Sequence, residues 1–213
     1  MCNRYWIEHQ VEKIAERYSV RRIRVTDHGP LQLFPDKPTL MIRLNDDGER
    51  ELEMAQWGLV PPWVKDEDLA TFIRRTAPNN ARDDTIRTNL ENKRGMFYAS
   101  MKSRRCLLPA SAWCEWTGEK GSKVANRLSV VDRPLFVFAG MWAYRDNPGP
   151  TCTMVTTDAI GKAAEYHSRI PVVLRDEGVD AWLDPASNPM ELTALFQSLS
   201  DEELEVRALG IGA

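Results

Sequence analysis

The chain has 213 residues with a formal net charge of −3 and a pI near 5.7. That length suits one domain with a sizeable core, and the 28% charged and 43% hydrophobic content is ordinary for a globular protein. The balance excludes a generally basic nucleic-acid binder, so any such role has to rest on a local patch.

The predicted elements run as follows. Residues 8–18 set Val11, Ile14, Ala15 and Tyr18 at helical spacing. Pro38–Leu44 and Glu51–Val60 read as two strands joined by the turn Asn45-Asp46-Asp47-Gly48, and Pro61-Pro62 stops the second. Residues 64–95 are polar and predict irregular chain with a short helix near 87–93. Beyond 104 strand signals dominate: Arg105–Pro109, Trp113–Thr117, Asn126–Val131, Leu135–Trp142 and Cys152–Thr156. Asp158–Tyr166 reads as a helix capped from Thr156-Thr157-Asp158, and Ile170–Leu174 as a strand. Residues 176–183 and 189–199 read as helices, and Glu203–Ala208 as a last strand. The expected fold is α+β, with a mostly antiparallel, β-rich, barrel-like core and peripheral helices. A single domain spanning 1–213 and a monomer are expected.

Four cysteines (Cys2, Cys106, Cys114 and Cys152) include no C-x-x-C pair, and His9, His28 and His167 lack metal spacing, so no zinc site is expected. Cys106 and Cys152 lie in apolar stretches and are assigned to the core. The polar start and the lack of a long apolar run predict a cytoplasmic protein with reduced thiols and no membrane contact.

Chemistry enters at Met1-Cys2. Once Met1 is removed, Cys2 carries an α-amine and a thiol on adjacent carbons. Such a 1,2-aminothiol condenses with an aldehyde through a Schiff base, and the sulfur then closes a thiazolidine ring. The reference pKa values of the two groups, roughly 7.7–8 and 8.5, leave both partly deprotonated near neutrality. The second attack is intramolecular, which makes Cys2 a candidate covalent nucleophile for carbonyl compounds.

Further strings accompany it: Met1-Cys2-Asn3-Arg4-Tyr5, Trp57-Gly58-Leu59-Val60-Pro61-Pro62-Trp63, Asn80-Ala81-Arg82-Asp83-Asp84-Thr85, Arg105-Cys106-Leu107-Leu108-Pro109, Trp113-Cys114-Glu115-Trp116, Phe138-Ala139-Gly140-Met141-Trp142 and Tyr166-His167-Ser168-Arg169-Ile170-Pro171-Val172-Val173-Leu174. In this order they resemble the SOS response-associated peptidase (SRAP) family of abasic-site processing proteins. The resemblance implies a β-rich, barrel-like fold with a positive groove and no metal or organic cofactor. It implies capture of the ring-opened abasic aldehyde in single-stranded DNA by Cys2, after Met1 is lost, as a thiazolidine crosslink that shields the lesion. It also implies roles: Asn80 orients the Cys2 amine through its carbonyl, Glu115 shuttles protons, and His167 assists sugar opening. The same groups would serve Met1 removal, and a lyase activity through the shared Schiff base is chemically open. Arg4 and Arg82 are the implied phosphate ligands, and Thr156 an added hydroxyl contact. Trp63 either stacks on a base or packs in a loop. Trp57 is assigned to the core, Arg21, Arg22 and Arg24 to a solvated face, and the Lys102–Arg105 cluster to the groove or to solvent.

The match departs at Asn3 and Ala112, where the family usually has glycine, at Asp27 through Pro35, and in a longer Trp63–Asn80 stretch carrying Lys65, Arg74 and Arg75. Two other functions compete: a thiol peptidase or amidohydrolase acting in trans through Cys2, Glu115 and His167, and a non-covalent reader of single-stranded or modified DNA. An aldehyde requirement separates the first function from the peptidase.

Overall fold

The computed structural model describes residues 2–26, 29–119 and 121–211. Met1 and the Asp27-His28 start of the departing loop lie outside them. Among the described residues there are thirteen strands and six α-helices.

Two sheets organise the chain. One is antiparallel and five-stranded, built from β1 (Tyr5–Ile7), β3 (Leu31–Leu33), β8 (Ala112–Thr117), β9 (Val124–Val130) and β13 (Leu204–Ile211), in the order β13-β9-β8-β1-β3. The other contains β4 (Pro38–Leu44), β5 (Arg50–Trp57), β7 (Arg105–Ala110), β10 (Phe136–Arg145) and β11 (Gly149–Asp158). These five run β11-β10-β7-β4-β5, and a parallel pairing of β5 with β11, Thr151 opposite Gln56 and Cys152 opposite Trp57, closes them into a barrel. Closure removes the edges an open sheet would expose. β2 (Arg22–Ile23), β6 (Asn80–Arg82) and β12 (Arg169–Pro171) attach to its rim. The α+β, mainly antiparallel, barrel-like expectation holds.

Local sequence explains most elements. α1 (Val11–Arg17) buries Val11, Ile14 and Ala15, with Tyr18 closing the same face. The β4–β5 turn is held by Asn45, whose Oδ1 accepts the Asp47 and Glu49 amides at 3.0 and 2.9 Å. In β10, Gly140 is required because an added Cβ would lie 2.8 Å from the Cys106 Sγ on the neighbouring strand.

The core lies between the sheets. Tyr5 of β1 sets its ring edge-on to Trp57 and Phe138 at 5.1 and 5.7 Å and hydrogen-bonds Thr39 through its hydroxyl. Trp57, Cys106 and Cys152 are fully buried, as expected. Tyr5 is anchored there and Cys2, three residues earlier, is fully buried, while Asn3 between them faces outward.

Several expectations need correction. The stretch 64–95 is ordered: a 3-10 turn over Asp66–Asp68, then α2 (Leu69–Arg75), β6 and α3 (Asp83–Glu91). α2 packs Leu69, Phe72 and Ile73 on Val60 and Val64 in a small core of its own, too short to show clear periodicity. The helix expected over 158–166 shrinks to α5 (Gly161–Ala164), because 156–158 continue β11 and pair with β12. The helix expected over 189–199 is a 3-10 segment, Glu191–Leu195. α6 (Asp176–Leu183) forms as predicted, whereas β1, β3 and α4 (Tyr98–Ser103) carry too few residues to announce themselves.

Candidate active site

The candidate site forms where the start of the chain crosses β8 and meets β6. The Cys114 amide donates to the Arg4 carbonyl at 2.9 Å, which lays residues 2–4 along β8. From β6, the Asn80 side-chain amide donates to the Cys2 carbonyl at 2.8 Å. β6 is itself fixed by parallel pairing with β11, Asn80 opposite Met154 and Arg82 opposite Thr156. The Asn80 NH₂ thus holds the Cys2 peptide, while its buried Oδ1 has no hydrogen-bond partner among the described residues. A buried acceptor left open in this way favours an incoming donor.

Cys2 is fully buried, and its Sγ–H donates to the Arg4 carbonyl at 3.4 Å. Burial pushes its thiol well above the usual range, and the charge of Glu115 adds to the effect. The partly ionised thiol expected from reference values is thus replaced by a protonated one that needs a base at the moment of attack.

Glu115 lies inside β8, 2% exposed. Burial pushes its carboxyl up to about 7, against the pull of the positive charge at the start of the chain. A carboxyl at that value exchanges protons in either direction near neutral pH.

His167 follows α5 and is half-buried. Its Nδ1 is held by the Arg169 backbone, 2.9 Å from the amide and 3.1 Å from the carbonyl, which fixes the orientation of the ring. Burial lowers its pKa, with the N-terminal positive charge acting in the same direction, so the ring is a neutral hydrogen-bond donor at pH 7.

Arg169, missed by sequence reasoning, joins these parts. Its guanidinium is buried and bonds Asp83 at 2.6 Å, Asp158 at 2.7 Å and the Thr156 carbonyl at 2.6 Å. It thereby ties β12, the strand just after His167, to β11 and to the first residue after β6. The only signal was its place two residues after His167.

The implied DNA contacts divide. Arg4 lies between the rings of Phe34 and Trp116, 5.5 and 5.0 Å from their centroids, in a cleft of about 320 Å³ that Asn3 and Lys123 complete. Arg82 is half-exposed and paired with Asp84 at 2.5 Å. Trp63 is 65% exposed, edge-on to Phe72. Thr156 is fully buried, its hydroxyl within 3.5 Å of the Ala81 carbonyl, and it has no surface to offer DNA. Arg105 is also withdrawn from the expected basic cluster, because it is buried and donates to the Met101, Lys102, Trp182 and Asp184 carbonyls. Arg22 and Arg24 are exposed and face the buried carboxylate of Glu51.

The family model for SOS response associated peptidase (SRAP) matches residues 1–210. The chain belongs to the SRAP family. Among its relatives, an abasic site processing protein of Bacillus subtilis, YoqW, is 29% identical over 96% of this chain and 90% of its own. The chicken abasic site processing protein HMCES is 28% identical over 68% of this chain, and only 48% of its own length is covered. In fold, crystal structures of a Bacteroides thetaiotaomicron protein and a Bordetella bronchiseptica protein both superpose with a TM-score of 0.80. The first is 24% identical and covers 97% of this chain and 91% of that one, and the second is 23% identical and covers 99% and 100%. The SRAP fold is therefore shared across low identity. No helix among the described residues is long and apolar enough to cross a membrane.

Proposed function

We propose that this SRAP protein processes abasic sites in single-stranded DNA, with Cys2, freed by loss of Met1, capturing the lesion aldehyde as a thiazolidine. The observation that carries the reading is a buried carboxyl poised near pH 7, Glu115, acting on the Cys2 thiol, while Asn80 grips the Cys2 carbonyl. The names of the relatives support the substrate.

The steps balance as follows. His167, through a ring N–H, hydrogen-bonds the sugar ring oxygen and favours the open aldehyde. The neutral Cys2 amine, oriented by the open Asn80 Oδ1, adds to the aldehyde carbon. Protonated Glu115 gives its proton to the departing hydroxyl, releasing water and leaving an iminium. The Sγ then attacks the iminium carbon, its proton passes to the Glu115 carboxylate, and the ring closes on a neutral nitrogen. One aldehyde and one aminothiol become one thiazolidine and one water, and Glu115 ends as it began. Arg82 and Arg4 hold phosphates in this reading, and Trp63 stacks beside the lesion. The same Cys2, Glu115 and His167 set serves self-removal of Met1.

The test mixes protein lacking Met1, verified by intact mass, with a single-stranded oligonucleotide carrying one abasic site. A heat-stable band on a denaturing gel is expected, requiring both the lesion and Cys2. A Cys2→Ala protein that still forms the band would overturn the thiazolidine. Absence of any band while DNA remains bound would favour a non-covalent reader, and cleavage of peptides without lesion capture would favour a peptidase acting in trans.

A further inference from the structure

Trp63 stands out among the aromatic side chains for its exposure, and the backbone beneath it is unusually well fastened. Pro61 and Pro62 have no amide hydrogen to give, so this segment cannot hold itself by ordinary ladder bonds. It forms a turn in which the Val64 amide donates to the Pro61 carbonyl at 3.2 Å, placing Pro62 and Trp63 at the tip. The carbonyls on either side of Trp63, those of Pro62 and Val64, both point toward one guanidinium from the end of β10. Arg145 Nη1 donates to the Pro62 carbonyl at 3.2 Å and to that of Val64. Its Nη2 pairs with Asp66, just beyond the turn, and its Nε donates to the Asn147 carbonyl at 3.2 Å. The Arg145 side chain is 11% exposed, whereas its partner Asp66 is 90% exposed. The Val64 side chain anchors the same turn into the small core of Val60 and Leu69.

We infer that Arg145 is a positioning residue for DNA: by gripping both carbonyls that flank Trp63, it holds the indole rigidly outward as a stacking platform. Apart from its edge contact with Phe72, the ring leaves most of its apolar area in water in the free protein. Fixing its backbone in advance removes the ordering cost of binding, which an exposed aromatic otherwise meets when a base arrives. Only a planar fork with several donors spans two carbonyls and a carboxylate at once, so lysine cannot substitute. Arg145 lies on the β10–β11 hairpin, outside every string that carries the family resemblance. The inference rests on the proposed contact of Trp63 with DNA.

The experiment is a double-mutant cycle on reversible binding, in a Cys2→Ala background, to a fluorescent single-stranded oligonucleotide carrying a stable tetrahydrofuran abasic analogue. Trp63→Ala is expected to weaken binding roughly tenfold or more, the loss of one base stack. Arg145→Met is expected to reproduce much of that loss, Arg145→Lys to restore little of it, and Arg145→Met to have almost no effect once Trp63 is alanine. Asp66→Asn, at an exposed position that leaves folding intact, is expected to give a smaller loss that also vanishes in the Trp63→Ala protein. If Trp63→Ala binds normally, the stacking contact itself is wrong. If Trp63→Ala weakens binding while Arg145→Met and Asp66→Asn do not, or if their losses add to that of Trp63→Ala, the positioning role is overturned while the stacking contact stands.

Discussion

Glu115 sets the pH behaviour of the site. Its carboxyl is held near 7 in the fold, against 4.5 as its ordinary value, chiefly by burial. Between those values the folded chain keeps a proton that the unfolded chain has released, so stability falls as pH rises through that window and stays lower above it. An offset of this size corresponds to about 3 kcal/mol. Glu115→Gln is therefore expected to be more stable than the parent at pH 8 by about that order, and equal to it below about pH 4.5, as read from urea midpoints. Lesion capture should show the complementary effect. The rate should fall above about pH 7 as Glu115 loses the proton that the departing hydroxyl needs, and Glu115→Gln should be slow and lack that limb. A parent and a Glu115→Gln protein with the same pH profile would remove Glu115 from the chemistry.

Among the elements, β6 and β12 matter out of proportion to their three residues each. β6 brings Asn80 to Cys2, the chain just before β12 brings His167, and the buried Arg169 with Asp83 ties the two together. Removing one partner of a buried ion pair leaves a charge uncompensated, so Asp83→Asn is expected to cost about 3 kcal/mol in denaturant unfolding and to slow lesion capture. A variant of unchanged stability would show that Asp158 alone suffices for Arg169. These short elements also mark where sequence reasoning reached its limit. The longer strands β4, β5, β7 and β10 were legible because apolar residues run through six or more positions between turn signals. Cys2, Asn80, Glu115 and His167 were legible through their strings. The roles of Arg169 and Arg145 were not, because each depends on carbonyls and carboxylates more than ten residues away, brought together only by the barrel. The burial of Thr156 and Arg105 was hidden because β11 and β7 are covered on both faces there, so alternation along the strand carries no mark of an outer side.

For the molecule as a whole, a net charge of −3 means that attraction to DNA is local rather than a field of the entire surface. With Arg4 and Arg82 as the proposed phosphate ligands, the salt dependence of single-strand binding should be shallow. Arg82→Gln is expected to lower the log–log salt slope by about 0.7, the share of one phosphate on a single strand. An unchanged slope in a titration from low to high salt would place that phosphate elsewhere. The closed barrel explains how such a small surface works: strands that have no free edges hold the rim residues in place, so a handful of side chains retains its geometry without an extended interface.

The burial of Cys2 has a chemical consequence of another kind. A cell contains many soluble electrophiles, among them peroxides, formaldehyde and reactive dicarbonyls, and a free N-terminal aminothiol in water would be consumed by them. Here all four cysteines are buried, and burial pushes the thiol of each, Cys2 included, above its usual range. In the proposed reaction this disfavours chance encounters with such compounds, so selectivity for the lesion would come as much from inertness toward other electrophiles as from recognising the lesion itself.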